Sequence, residues 1–250
     1  GNQHTHVCVC VCVCVVMLKN LCPSRRSSEG MTAEFVRKFK EEEPPIPAEG
    51  MTEAVFSQRL TQWNEAVMAG LHRERKVIPN LYQPRAEAEQ ELKGWTGAQA
   101  PLLVIAAEAG SGKTNLLAEM ARQYNELELP TVLIRAARME SPDLEEVLRG
   151  VLNVAADVDV AALPVLDRPA DAPLMILVDG GNEHAEPDVL MDRLLAFLGR
   201  TPAGVKVVLS WRVDTPAALP VLDEQQARLV YPAAQREGDH ILAKSALRLG

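Results

Sequence analysis

Residues Ala107–Thr114 form the stretch AEAGSGKT. Its spacing matches the phosphate-loop pattern G-x-x-x-x-G-K-[ST], with Ala107 in place of the first glycine. Gly110 and Gly112 allow backbone conformations that aim successive N–H groups at phosphate oxygens. A helix that begins at Lys113 adds the positive end of its dipole. The stretch therefore predicts a phosphate-binding loop, or P-loop.

The residue types in this loop indicate a nucleotide held together with magnesium. Lys113 would neutralise the β- and γ-phosphates, and the Thr114 hydroxyl is a hard oxygen ligand for Mg²⁺. A dinucleotide fingerprint is excluded, because Asn115 stands where its third small residue would be. The predicted nucleotide-binding residues of the loop are Ala107, Glu108, Ala109, Gly110, Ser111, Gly112, Lys113, Thr114 and Asn115.

Apolar runs alternate with amphipathic helical patterns from residue 102 onward. Such alternation is typical of a parallel sheet that is buried on both faces. The predicted strands are 102–106, 131–135, 174–178, 205–209 and 227–231, and the helices between them are 114–124, 143–155 and 188–198. We therefore predict an α/β fold of the P-loop NTPase kind (ASCE type), with a five-stranded, mainly parallel sheet flanked by helices.

Two further strand ends carry candidate chemistry. The strand LMILV is followed by DGGNE, in which Asp179 is a predicted second magnesium ligand and Glu183 a predicted base for the attacking water. At the end of VKVVLSWR, the Ser210 hydroxyl or the Arg212 guanidinium could sense the γ-phosphate. An ordinary surface ion pair is the alternative for Arg212. Lys113, Glu183 and Arg212 are the predicted catalytic residues.

Charge and cysteine usage narrow the class of protein. The chain has 250 residues and a net charge of −8, which disfavours non-specific binding to nucleic acid or to an anionic membrane. All five cysteines lie within the first 22 residues, so the rest of the chain has neither disulfides nor thiolate chemistry. This distribution is expected of a protein kept in a reducing compartment, and we expect a cytoplasmic location.

The amino-terminal run HTHVCVCVCVCVVML has two interpretations. As a strand it would project His4, His6 and four cysteines from one face, where they could hold zinc or copper. A tetrahedral zinc site needs a turn between its ligand pairs, however, and the run has none. The pattern therefore favours a low-complexity segment. It is also too short to span a bilayer.

The pattern of the chain predicts three regions. Residues 1–50 form a low-complexity and linker segment that we expect to be disordered, and residues 51–93 form a helical extension. Residues 94–250 form the P-loop core, expected to be truncated at its carboxyl end. Phe56, Leu60, Trp63, Val67 and Leu71 share one helical stripe, which favours docking on the same domain over binding of a partner.

Together these motifs resemble the STAND class of signal-transduction P-loop ATPases, particularly its NACHT-type members. AEAGSGKTNLL resembles that family's phosphate loop, DGGNE its Asp-Gly-x-Asp-Glu motif, and LSWR its Thr-Ser-Arg segment. LYQPRAEAEQEL (81–92) resembles the segment in which an arginine lies against the adenine, which makes Arg85 a candidate nucleotide-binding residue. The resemblance covers roughly residues 78–231.

The resemblance implies a switch that binds ATP and Mg²⁺, hydrolyses ATP slowly and acts in signalling or assembly. It also implies a homo-oligomer or partner domains that lie outside this chain. From the net charge we expect no binding to nucleic acid or membrane. Three positions depart from the family pattern: Ala107, Trp211 and Asn182. Asn182 replaces an acid and cannot act as a base at neutral pH.

Three other functions stay open. A P-loop phosphotransferase would usually carry an arginine-rich lid after the core, and residues 232–250 offer little of that. A nucleotide-binding interaction module without significant hydrolysis is compatible with Asn182. A DNA-linked motor is disfavoured by the net charge.

Overall fold

The computed structural model of the chain describes residues 44–78, 86–96, 100–169, 171–213 and 227–230. The chain divides into a unit of residues 1–43 and a unit of residues 44–250, and the description concerns the second unit. The interpretations of the amino-terminal His/Cys run and of Arg85 fall outside the described residues.

The elements alternate as the sequence predicts, with bounds that differ by at most three residues. The helices are α1 (Glu53–Arg73), α2 (Ala86–Thr96), α3 (Lys113–Glu126), α4 (Leu144–Leu152) and α5 (Pro187–Leu198). The strands are β1 (Leu102–Ala107), β2 (Thr131–Arg135), β3 (Leu174–Asp179), β4 (Val205–Arg212) and β5 (Ala227–Val230). No helix in the described ranges has an apolar stretch long enough to cross a bilayer.

The strands form one sheet in the order β2-β3-β4-β1-β5, and every pairing is parallel. Strands β1 to β4 form the body of the sheet, and the four-residue β5 pairs along the outer side of β1. The predicted α/β fold with a parallel sheet flanked by helices is therefore confirmed, and it is consistent with a P-loop NTPase. In space, β4 lies between β1 and β3.

Apolar side chains cover both faces of the sheet, because successive residues of a strand point to opposite sides. One face of β1 to β4 packs against α4, α5 and the first half of α1, with Leu148, Leu194 and Phe56 in its core. The other face packs against α2 and α3, with Trp95, Leu116 and Leu117. This two-sided burial is the reason why the strands read as continuous apolar runs.

Two predicted boundaries need correction. The disordered linker predicted over residues 1–50 does not hold for residues 44–50, because Ile46 pairs with the end of α4. The Ile46 N–H donates to the Asn153 carbonyl at 2.8 Å, and the Ala155 N–H donates to the Ile46 carbonyl at 3.1 Å. The boundary predicted between residues 93 and 94 falls inside a helix, because α2 continues to Thr96 with Trp95 fully buried.

Helix α1 lies along the outer edge of β2 and contacts its backbone through polar side chains. The Asn64 amide donates to the Thr131 carbonyl at 2.6 Å and accepts from the Leu133 N–H at 2.8 Å. The Trp63 Nε1–H donates to the Leu133 carbonyl at 2.9 Å. Asn64 thus occupies hydrogen-bonding positions that a neighbouring strand would otherwise fill. Helix α1 is therefore docked on its own domain, as the stripe predicts.

Candidate functional site

The predicted motifs meet at one edge of the sheet, because the carboxyl ends of parallel strands point the same way. Strand β1 ends at Ala107, β3 at Asp179 and β4 at Arg212. Ala107 and Arg212 are register partners on adjacent strands. The loop after β1 therefore lies beside the residues that end β3 and β4.

The loop between β1 and α3 has the backbone conformation that its glycines predict. Gly110 and Gly112 have φ values of 75° and 80°, in the region that favours glycine. Gly112 precedes α3 and provides no side-chain cap for the first N–H groups of that helix. Ala107, the last residue of β1, keeps a negative φ, so alanine replaces the usual glycine without strain. Helix α3 thus directs its positive end into the loop.

The Lys113 ammonium lies at the centre of the loop. Its Nζ atom donates to the carbonyl oxygens of Ala107 and Glu108, both at 2.7 Å, and to the Ser111 hydroxyl at 3.2 Å. The residue is only 8% exposed, whereas Glu108 and the following Ala109 and Gly110 are exposed. The loop therefore holds a fixed positive charge beside exposed residues, an arrangement that suits an anion.

A carboxylate and two hydroxyls form a second cluster beside the loop. The Thr114 hydroxyl donates to the Asp179 carboxylate, with distances of 2.9 Å to Oδ2 and 3.1 Å to Oδ1. The Ser210 hydroxyl donates to Asp179 Oδ1 at 3.0 Å and accepts from the Gly180 N–H at 2.7 Å. The first helical turn of α3 is thus joined to the ends of β3 and β4.

The chemistry of this cluster fits a magnesium ion. Carboxylate and hydroxyl oxygens are the hard ligands that Mg²⁺ takes, and adjacent oxygens of its octahedron lie roughly 2.9 Å apart. The Thr114 hydroxyl donates its one hydrogen to a hydrogen bond with Asp179, which leaves the lone pairs of its oxygen available to a cation. The described ranges contain no group of three or more His, Cys, Asp and Glu residues that could hold a metal. Magnesium usually keeps several water ligands and takes only one or two from a protein, so Thr114 and Asp179 would be sufficient protein ligands for the ion.

The acidic motif after β3 forms a tight turn. Gly180 has a φ of 72°, and the short 3-10 helix Gly181–Glu183 follows it, closed by a 2.7 Å bond from the Glu183 N–H to the Gly180 carbonyl. The exposed Glu183 side chain folds back over Gly180, where an added Cβ would lie 3.1 Å from Glu183 Cδ. The carboxylate of Glu183 therefore rests at the surface directly after Asp179.

The side chain of Asn182 has a structural contact. Its Oδ1 accepts a hydrogen bond from the Arg212 backbone N–H at 2.9 Å. This bond ties the acidic turn to the end of β4. The side-chain oxygen of Asn182 is thus engaged by the backbone of β4. The side chain of Arg212 is half-buried at the same edge.

An ion-pair cluster at this edge was missed by the sequence reasoning. Glu74, which follows α1, accepts two hydrogen bonds from Arg135 at 2.8 and 2.7 Å and one from Arg138 at 3.2 Å. The bonds and charges of these guanidinium groups, Arg135 above all, lower the pKa of the Glu74 carboxyl. The strand pattern predicted that Arg135 ends β2, but no signal in the sequence indicated its partner.

The 3-10 turn that follows β2 and ends at Arg138 lies next to the acidic turn that follows β3. Arg135 is the register partner of Asp179 on the neighbouring strand. The 3-10 turn Ala136–Arg138 packs against the turn Gly181–Glu183. The end of α1 is therefore connected through two arginines to the segment that carries Glu183, the candidate catalytic base.

Comparisons with known proteins add little to this geometry. The sequence matches no known family profile, and no curated protein is significantly similar to it. Among solved structures, the fold has a weak likeness to PCH-2 of C. elegans, with a TM-score of 0.37 and 11% identity over 65% of this chain. The match spans 48% of that chain, about half of its length. The parallel sheet and the loop after β1 are consistent with the P-loop NTPase superfamily.

Proposed function

We propose that the chain binds Mg-ATP through the loop 107–114. The main support for the proposal is that the Lys113 ammonium and the oxygen cluster around Asp179 lie at the same loop. Lys113 holds its charge at the loop centre, and the next residue, Thr114, places its hydroxyl 2.9 Å from Asp179. A triphosphate with its cation needs both groups side by side, one for the phosphate charge and one for the metal. When bound, the ion would screen the developing charge on the phosphates.

The proposed role is a nucleotide-dependent switch of the NACHT type with slow hydrolysis. Glu183 is the one carboxylate of the acidic turn after Asp179, since Asn182 is an amide that bonds to the Arg212 backbone. A single candidate base in this turn is compatible with slow hydrolysis, in which the protein would hold its nucleotide between infrequent turnovers. Such a switch acts through a homo-oligomer or through partner domains, with Arg212 as a candidate group for charge stabilisation. We place it in the cytoplasm.

The base is proposed to be adenine. No Asn-Lys-x-Asp stretch that would select guanine occurs in the chain. Arg85 is proposed to lie against the adenine. A binding module without significant hydrolysis is the second candidate function, and the contact of Asn182 favours it.

The test is a calorimetric titration of Mg-ATP into the wild type and Lys113→Ala. Losing a charge at the triphosphate is expected to cost roughly 2–4 kcal/mol, a weakening of roughly 30- to 1000-fold. Lys206→Met is the matched control. Lys206 is also a buried lysine, 3% exposed, that donates to the Ala100 carbonyl at 3.1 Å, but it lies near the opposite end of β4. The control should keep the wild-type affinity, and equal affinity in Lys113→Ala would refute the proposal.

A further inference from the structure

We propose that Ser210 is a positioning residue that orients the Asp179 carboxylate and thereby sets the magnesium dependence of nucleotide binding. The inference rests on the proposed function. It assigns to Ser210 a role different from the γ-phosphate contact that its place at a strand end suggests.

The chemistry of its partners fixes which hydrogen bond Ser210 accepts and which it donates. A backbone N–H can only donate, so the 2.7 Å contact with Gly180 makes the serine oxygen an acceptor. An ionised carboxylate can only accept, so the single hydroxyl proton goes to Asp179 Oδ1 at 3.0 Å. The side chain is 0% exposed. Ser210 is thus enclosed, and its one hydroxyl hydrogen is engaged with Asp179, so a contact with a phosphate would require this bond to break.

The position of Ser210 in the sheet explains why it can act on the metal site. Strand β4 borders both β1, which leads into the loop, and β3, which ends in the carboxylate. The Ile105–Ser210 register pair places the serine two residues before the last residue of β1. From there its hydroxyl binds one carboxylate oxygen of Asp179 while Thr114 bonds to both. Two rigid elements therefore fix the carboxylate plane.

Removing the hydroxyl has two consequences that both act on the metal ligand. Asp179 loses the donor on the β4 side, so its carboxylate can rotate away from Thr114. The buried Gly180 N–H loses its acceptor, which loosens the turn just after Asp179. Groups that hold a metal-binding residue in place typically contribute 10- to 100-fold to metal affinity. The loop and Lys113 bind phosphate without this serine, so nucleotide binding in the absence of metal should not depend on it.

The experiment measures ATP dissociation constants with excess Mg²⁺ and with EDTA, for the wild type, Ser210→Ala and Ser210→Thr. The magnesium gain is the ratio of the ATP dissociation constant in EDTA to that in excess Mg²⁺. In Ser210→Ala we expect this gain to fall by roughly tenfold or more, while the dissociation constant in EDTA stays unchanged. Ser210→Thr keeps the hydroxyl and should restore most of the gain. Ser210→Cys, which keeps the size and has a weaker hydrogen-bonding group, replaces the alanine variant if that variant does not fold.

Two outcomes would overturn the inference and leave the proposed function standing. One is a wild-type magnesium gain in Ser210→Ala. The other is an equal loss of affinity with and without metal, which would mean that the serine supports the loop in general. A wild-type chain that binds no ATP under either condition would instead refute the proposed function, so the two failures are distinguishable.

Discussion

Replacing Asn64 with leucine tests whether α1 is a structural part of the P-loop domain. Asn64 is 1% exposed and bonds to β2 twice, at 2.6 Å to the Thr131 carbonyl and at 2.8 Å from the Leu133 N–H. Leucine has a similar size but can neither donate nor accept. The substitution therefore leaves two backbone groups at the edge of the sheet without their side-chain partner.

The expected loss of stability follows from the two backbone groups that are left without a partner, the Thr131 carbonyl and the Leu133 N–H. A buried backbone group without a partner costs about 1–3 kcal/mol, and the added apolar contact of leucine offsets part of the sum. We expect the free energy of unfolding to fall by about 2–4 kcal/mol. For a domain of this size, the melting temperature should fall by roughly 4–16 °C.

The assay is urea unfolding followed by circular dichroism, with the midpoint and slope compared between variants. Gln62→Met is a matched control two residues earlier on the same helix. The Gln62 Oε1 atom is buried and has no hydrogen-bond partner in the described part of the chain, so this change should be neutral or slightly stabilising. A loss below about 1 kcal/mol for Asn64→Leu, or one no larger than that of the control, would refute the edge-strand argument.

Two further predictions concern the acidic groups at the carboxyl edge. Glu183→Gln should keep Mg-ATP affinity and slow single-turnover phosphate release by roughly 10²–10⁴-fold, because the side chain would act only on the attacking water; release at the wild-type rate would mean that Glu183 is not the base. Glu74→Gln should destabilise the protein at neutral pH by about 1–3 kcal/mol, since the amide cannot replace a carboxylate between two arginines. The folded-state pKa of Glu74 lies below its ordinary value of 4.5, so its stabilisation is present above that pH and disappears as the pH falls through the folded pKa. Unfolding curves at several pH values check this, and a difference between the two proteins that does not change with pH would contradict it.

Local sequence was enough to predict the loop, the strands and the acidic strand end. Gly110, Gly112 and Lys113 lie within four residues of one another, so their geometry depends on a short backbone segment whose conformations glycine permits. Strands buried on both faces must be apolar throughout, which makes them recognisable one at a time. For the same reason Asp179 and Arg212 could be placed at strand ends before their neighbours were known.

The tertiary structure alone decided which of these groups touch. Strands that are apolar on both faces have similar sequences, so the pattern does not reveal their order in the sheet. Strand β4 lies between β1 and β3, and this order brings Ser210 within hydrogen-bonding distance of Asp179. The contact of Asn182 with the Arg212 backbone depends on the same strand order. The ion pair between Arg135 and Glu74 joins residues that are 61 positions apart in the chain. Contacts of this kind depend on the packing of helices on both faces of the sheet, because their partners are brought together by the burial of apolar surface and not by their own spacing in the chain.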